Sequence, residues 1–176
     1  MPDAPVVIET DRLILRPHDL SDFEDVHALW SDPEVVCHIY DRPQTAAEAW
    51  SRLLRYRGHW ALLGYGYWAV VERATGRFMG ELGFANYLRE IEPDMDGRPE
   101  AGWVMARHAH GRGVAYEAMQ AALGWCDAHL DARGTWAMIT PSNHSSLRLA
   151  QKLGFARTLD AQFNGKPRHI YERARS

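Results

Sequence analysis

Hydrophobic and polar residues change period several times along the chain, and each change marks an element. In "RLILR", residues 12–16, Leu13 and Leu15 share one face and Ile14 takes the other, the alternation of a strand. "SDFE" at residues 21–24 has the form of a capping box, and Phe23, Val26, Leu29 and Trp30 follow at helical spacing until Pro33 stops the run. A second box, "TAAE" at 45–48, opens a helix carrying Trp50, Leu53 and Leu54. The period then shortens. "YWAVVE" (67–72), the turn "RATGR" and "FMGELGF" (78–84) read as an antiparallel hairpin, and "EAGWVM" from Glu100 reads as the next strand after the polar stretch "EIEPDMDGRP". Residues 114–130 place Ala118, Met119, Ala122, Trp125 and Leu130 for a helix buried on one side and closed near Gly134. "TWAMIT" is a strand, "NHSSLRLAQKLGF" a helix ended by Gly154, and "FARTLD" and "RHIYER" a final strand pair.

Length and composition narrow the class. The 176 residues form a single domain, 1–176, with 46% hydrophobic and 24% charged residues and no internal repeat or linker. A net charge of -3, from 20 Lys and Arg against 23 Asp and Glu, gives no global basic field, so direct nucleic-acid binding is not expected. Acids stand near the start, where a secretory signal carries basic residues, and no apolar run reaches membrane-spanning length, so a cytoplasmic protein without membrane contact is expected. Cys37 and Cys126 lack C-x-x-C spacing and are read as small core residues of a reducing compartment. Exposed aromatic surface would be compatible with a homodimer.

Between strand and helix lies "RHAHGRGVAYEAM", residues 107–119. The first amides of a helix have no intrahelical partner, and the helix dipole adds positive potential there. Gly111 and Gly113 let a ligand approach the backbone, and Arg112 adds a cation, so the composition suits a phosphate. Tyr116 holds the third glycine position of a dinucleotide fingerprint, and "NGKP" at 164–167 does not supply a Walker loop, so both of those readings are disfavoured.

"HGRGVA" (110–115) resembles the pyrophosphate loop Q/R-x-x-G-x-G/A of the GNAT superfamily of acetyl-CoA-dependent N-acetyltransferases. "ETDRLILRPHDLSDFEDVHALWSDPEV" resembles the opening of its RimJ/RimL-like branch, "EAGWVM" the central strand, and "NHSSLRLAQKLGF" the final helix motif, in the right order over nearly the whole chain. The resemblance implies an α/β (α+β) fold: a mixed, mostly antiparallel twisted sheet of about seven strands, splayed at the centre and flanked by about four helices. It implies that His110, Gly111, Arg112, Gly113, Val114 and Ala115 hold the coenzyme's pyrophosphate, and that backbone groups of Val104 and Met105 hold its pantetheine arm like an added strand. The resemblance further implies that Asn143, beside capping the helix, hydrogen-bonds the same arm. His110 replaces the usual Gln or Arg, and Ala150 stands where many members carry a tyrosine general acid.

The implied chemistry is direct acetyl transfer to a primary amine without metal. An amine attacks only when neutral, and reference pKa values of about 8 for an α-amine and about 10.4 for lysine show why a base helps. Glu100 resembles the family's proton-removing glutamate; the competing reading is a solvated strand-end carboxylate. Ser146, from the branch's N-x-x-S, is the candidate donor to the leaving thiolate, and the competing reading is the third residue of a helix capped by Asn143. His108, His110 and His144 lack a third ligand at metal-binding spacing, so no metal is expected. The branch places Trp30, Trp50 and Trp60 along the acceptor wall, and Arg148 and Lys152 flank the last motif as solvated residues or contacts to the 3′-phosphate.

The branch implies a protein or peptide N-terminal amine as acceptor. The alternatives are a small amine, such as a polyamine, amino acid or aminoglycoside, and a non-catalytic acyl-CoA-binding protein. Overall acidity leans toward a cationic acceptor. Residues 86–99 join two strands beside the expected acceptor site and are read as a specificity loop.

Overall fold

A computed structural model describes residues 6–92, 94–95 and 97–176. Its eight strands form one sheet in the order β1-β2-β3-β4-β5-β6-β8-β7. These are β1 (Ile8–Glu9), β2 (Leu13–Pro17), β3 (Tyr67–Glu72), β4 (Phe78–Ala85), β5 (Glu100–Met105), β6 (Gly134–Ile139), β7 (Ala156–Phe163) and β8 (Lys166–Ala174). Five helices accompany them: α1 (Phe23–Ser31), α2 (Pro33–Val36), α3 (Ala46–Leu63), α4 (Val114–His129) and α5 (His144–Lys152).

Every neighbouring pair is antiparallel except β5 and β6, which run parallel because α4 carries the chain between them as a crossover. One face of the sheet packs on α4 and α5, where Val114, Ala118, Met119 and Ala150 meet Leu13, Leu15, Leu82 and Phe84. On a second cluster, Val26, Leu29 and Trp30 of α1 and Leu53 of α3 meet Ala69, Phe78 and Val104.

Several local expectations shift. Pro33 ends α1 but also begins α2, where its fixed φ and missing N–H suit a first helical position and Asp32 caps Glu34. The cap ahead of α1 is Asp19 rather than Ser21: it accepts from Ser21 N–H at 2.8 Å, while Asp22 reaches back to the Asp19 N–H at 2.8 Å. The Thr45 and Glu48 box forms as read. No glycine closes α4; Gly134 instead opens β6, where a Cβ would collide with the Arg173 carbonyl. Cys126 is buried, whereas Cys37 is exposed at the end of α2. The β7–β8 hairpin turns on Asn164 and Gly165, both at positive φ (51° and 71°), the backbone of a two-residue type I′ loop.

Helices α1 and α3 are tied to the sheet through a fully buried carboxylate. Glu81 of β4 accepts from Trp30 Nε1 at 2.7 Å and from the Tyr56 hydroxyl, and pairs with His18 Nε2 at 3.2 Å. Arg52 lies 3.5 Å from the Trp30 ring centroid and donates to the hydroxyls of Tyr40 and Tyr56. Burial by itself would raise the Glu81 pKa, but His18, Arg52 and Tyr56 hold it below the ordinary glutamate value of 4.5. Native Glu81 thus binds its proton less readily than unfolded Glu81, so its stabilisation is complete above the unfolded value and fades as pH falls through the lower native one. Glu81→Gln is expected to lower unfolding free energy by about 2–4 kcal/mol at neutral pH. Urea denaturation as a function of pH should also show this variant losing less additional stability than the parent below the ordinary glutamate pKa.

Candidate active-site cleft

Strands β5 and β6 share a single paired position, Glu100 opposite Trp136, and diverge beyond it. In the β4–β5 ladder Ala106 N–H donates to the Met79 carbonyl at 2.9 Å, and the alternation of an antiparallel ladder then assigns each backbone group of β5 a side. Glu100, Gly102 and Val104 bond toward β4, while Ala101, Trp103 and Met105 face the gap. The sequence reading gave Val104 and Met105 as the backbone groups facing the gap; the register instead turns Val104 toward β4, and Trp103 takes its place beside Met105. The gap opens a cleft of about 600 Å³, walled by α3, the segment after α2, the segment after β4 and the β7–β8 hairpin.

The glycine loop follows β5 directly. Gly111 and Gly113 adopt positive φ (70° and 74°), a Cβ at Gly111 would meet nothing within 4 Å, and Gly113 is the uncapped N-cap of α4. The first intrahelical bond recorded there is Glu117 N–H to Gly113, which leaves the amides of Val114, Ala115 and Tyr116 without an intrahelical acceptor. Polar side chains hold the loop from outside. His110 Nε2 donates to the Met105 carbonyl and His108 Nε2 to the Phe78 carbonyl, each at 2.9 Å, so both rings serve as struts. The guanidinium of Arg112 pairs with Glu72 at 2.6 Å. Arg12 pairs with Glu117 and donates to the Arg112 carbonyl, fixing the loop to the start of β2.

Glu100 lines the cleft but is not a solvated carboxylate. It is 7% exposed and bridged by Arg89 in a bidentate pair, Nε to Oε2 at 2.6 Å and Nη2 to Oε1 at 2.9 Å. Burial raises its pKa, and the Arg89 cation only partly offsets this. Tyr67 and Tyr87 stand nearby; burial raises both phenols, which keeps them protonated and able to donate. Ser146 combines both of its readings geometrically. Its N–H donates to Asn143 Oδ1 at 3.2 Å, the bond of a helix cap, and its Oγ accepts from Trp103 Nε1 at 3.2 Å, on the cleft wall. Asn143 and Ser146 both line the cleft, whereas Ala150 is fully buried in the core. Of the three acceptor-wall tryptophans, only Trp30 lines the cleft; Trp50 packs edge-on against Phe23, and Trp60 against Trp68 and Trp125. Lys152 lies over the Tyr116 ring, 4.1 Å from its centroid, and Arg148 is exposed.

Sequence reasoning did not find Arg89, Trp103, Tyr67, Tyr87, Arg52 or Arg55, all of which line the cleft. Arg89 and Tyr87 of "NYLRE", in the stretch between the hairpin and Glu100, were the available signal for two of them. Pro93 and Asp96, within the segment read as a specificity loop, lie outside the described residues.

A family model described as an acetyltransferase (GNAT) domain matches residues 12–156. A solved structure described as a GNAT-family acetyltransferase from Bordetella pertussis is 34% identical, covers 96% of this chain and 99% of its own, and superposes with a TM-score of 0.83. The curated N-acetyltransferase p20 of Bacillus licheniformis is 28% identical over 147 residues, 83% of this chain and 80% of that protein. RimL, a ribosomal L7/L12 alpha-N-protein acetyltransferase solved in complex with coenzyme A, is similar in fold, with a TM-score of 0.77, 19% identity and coverage of 96% and 98%.

One contact in the cleft wall is tight enough to test alone. A Cβ at Gly102 would collide with the Tyr67 hydroxyl, which stands over the β5 backbone. Gly102→Ala is expected to cost about 1–3 kcal/mol in thermal or urea unfolding, and Tyr67→Phe in the same chain should restore most of it by removing the colliding oxygen.

Proposed function

The chain belongs to the GNAT acetyltransferase family, and from that premise we propose that it moves the acetyl group of acetyl-CoA directly to a primary amine, the N-terminal amine of a protein or peptide. Support for the acceptor comes from the likeness in fold to RimL, which acts on a ribosomal protein's α-amine. The observation that carries the reading is a juxtaposition along one strand. β5 has a buried carboxylate at its first residue and a loop of free helix-start amides just after its last. No helix among the described residues is long and apolar enough to cross a membrane, and Cys37 and Cys126 are unpaired, which suits the cytoplasmic residence we assign.

The amides that follow Gly111 and Gly113 fit a pyrophosphate, because the loop is open where a Cβ would stand and no side chain caps the helix. The backbone groups of Trp103 and the N–H of Met105, whose carbonyl is engaged by His110, hold the pantetheine arm along the open edge of β5, with Asn143 beside them. When bound, the thioester supplies an activated acetyl group and a thiol leaving group. Glu100 takes a proton from the acceptor's ammonium through water, which frees the neutral amine to attack, and a carboxylate made more basic by burial suits that task. Ser146 passes its hydroxyl proton to the leaving sulfur and recovers one, through water, from the second N–H of the acetylated nitrogen, with Trp103 Nε1 fixing the oxygen. Phenols of Tyr67 and Tyr87 orient the acceptor from the opposite wall.

Thiol release from acetyl-CoA with short peptides tests the assignment, and absence of release with every unblocked peptide would remove it. Glu100→Gln is expected to lower kcat/KM by at least about 100-fold and to abolish the acid limb of its pH profile. The sign of the Arg89 effect follows from its charge: Arg89→Gln removes a cation that favours ionised Glu100, so the acid limb should move to higher pH. Ser146→Ala should lower kcat by about tenfold with little change in unfolding temperature, because the Asn143 cap bonds the backbone of residue 146 rather than its side chain.

A further inference from the structure

The charge of the cleft runs against the charge of the chain. Five cationic side chains line it, Arg52, Arg55, Arg89, Lys166 and Arg168, against Asp41 and Glu100 among the described residues, in a protein of net charge -3. Arg89 is taken by Glu100 and Lys166 by Asp41. Arg52 is spent on Tyr40, Gln44 and the face of Trp30. Neither Arg55, which is exposed, nor Arg168 is in an ion-pair contact among the described residues, although Asp41 lies near enough to Arg168 to favour its protonated form. Arg55 lies over the Tyr87 ring, 5.1 Å from its centroid, and Arg89 lies 4.8 Å from the same centroid. Arg168 is half-buried, and after burial the nearby Arg89 charge is the next influence disfavouring its protonated form.

Five cationic side chains against the two carboxylates of Glu100 and Asp41 leave the cleft with an excess of positive charge, which raises the energy of the empty cleft and is relieved by an anion. We propose that the acceptor amine carries an anionic group, a carboxylate or phosphate, and that Arg55 and Arg168 bind it. The inference rests on the acetyl-transfer reading and narrows its acceptor. It also reverses the lean toward a cationic acceptor drawn from overall charge, because a ligand responds to the local field of a low-dielectric cleft more than to the sum over the surface.

Two matched acceptor pairs test it, each differing by a carboxylate against a carboxamide: the peptides Ser-Asp-Ala-amide and Ser-Asn-Ala-amide, and β-alanine with β-alaninamide. Thiol release is followed in low and in high salt. The acidic member of a pair that is turned over should have kcat/KM higher by at least about tenfold, and salt should shrink the advantage. Arg55→Gln and Arg168→Gln should each reduce the advantage, the double variant should abolish it, and Arg168→Lys should retain part of it. Arg57→Gln, an exposed change on the same helix away from the cleft, should leave it intact. Equal use of both members, preference for the amide, or an advantage that survives in the double variant would overturn the proposal. Use of β-alanine with neither peptide would keep the anion subsite and remove the N-terminal acceptor; use of both peptides alike would do the reverse. Where no acceptor is turned over, the same pairs are titrated against the protein with coenzyme A present. Tryptophan fluorescence then reads the preference, and equal affinity within both pairs overturns it.

Discussion

Everything in the cleft depends on β5 and β6 pairing at one position and then separating. A parallel neighbour bonded along its length would occupy the backbone groups of Ala101, Trp103 and Met105 and leave no room between the strands. The separation has visible supports. On the β4 side the ladder is continuous from Gly80 to Ala85, and on the other side β6 is held by β8 over six positions. Each diverging strand therefore has a full ladder on its outer edge, which lets the inner edges stay open without unravelling the sheet. The same parallel step requires the α4 crossover, so the open edge and the free helix N-terminus beside it arise from one topological choice.

Two buried glutamates show how differently the fold uses one side chain. Glu81 receives bonds from Trp30, Tyr56 and His18, and the net effect keeps its proton off. That carboxylate binds helices to the sheet, and it lies outside the cleft lining. Glu100 has a single cationic partner, which does not outweigh its burial, so its proton affinity rises. The first environment suits a fixed structural charge, the second a group that exchanges protons with an amine. The Glu81 cluster reaches the cleft through Arg52 and Tyr40, so that side of the cleft is built on the same contacts that dock α1 and α3.

Much of the architecture was legible because it is local. Alternation gave β2, helical spacing gave α1 and α3, and the glycine loop disclosed an exposed helix start at the expected residues. The chain also carried signals that were passed over: "NG" at 164–165 is a hairpin signal, and it forms the turn that brings Phe163, Lys166 and Arg168 to the cleft. The bond that joins Trp103 to Ser146 spans 43 residues and has no short-range trace. Arg112 shows the converse, a cation in the right motif whose charge is engaged by Glu72 from another strand pair.

What the sequence by itself determined was therefore the order of elements, the position of the glycine-rich loop at a helix start and the identity of Glu100, Asn143 and Ser146 as polar groups at the ends of elements. Periodicity, capping and glycine backbone freedom act over a few residues, and a linear reading captures them. Only the tertiary structure decided which backbone groups of β5 face the gap, which partner each charge takes, and the sign of the field in the cleft. Those properties come from pairs far apart in sequence, such as Lys166 with Asp41 and Arg98 with Glu172, and from burial. A residue's charge is written in the sequence; whether that charge is free to meet a ligand depends on what the fold sets beside it.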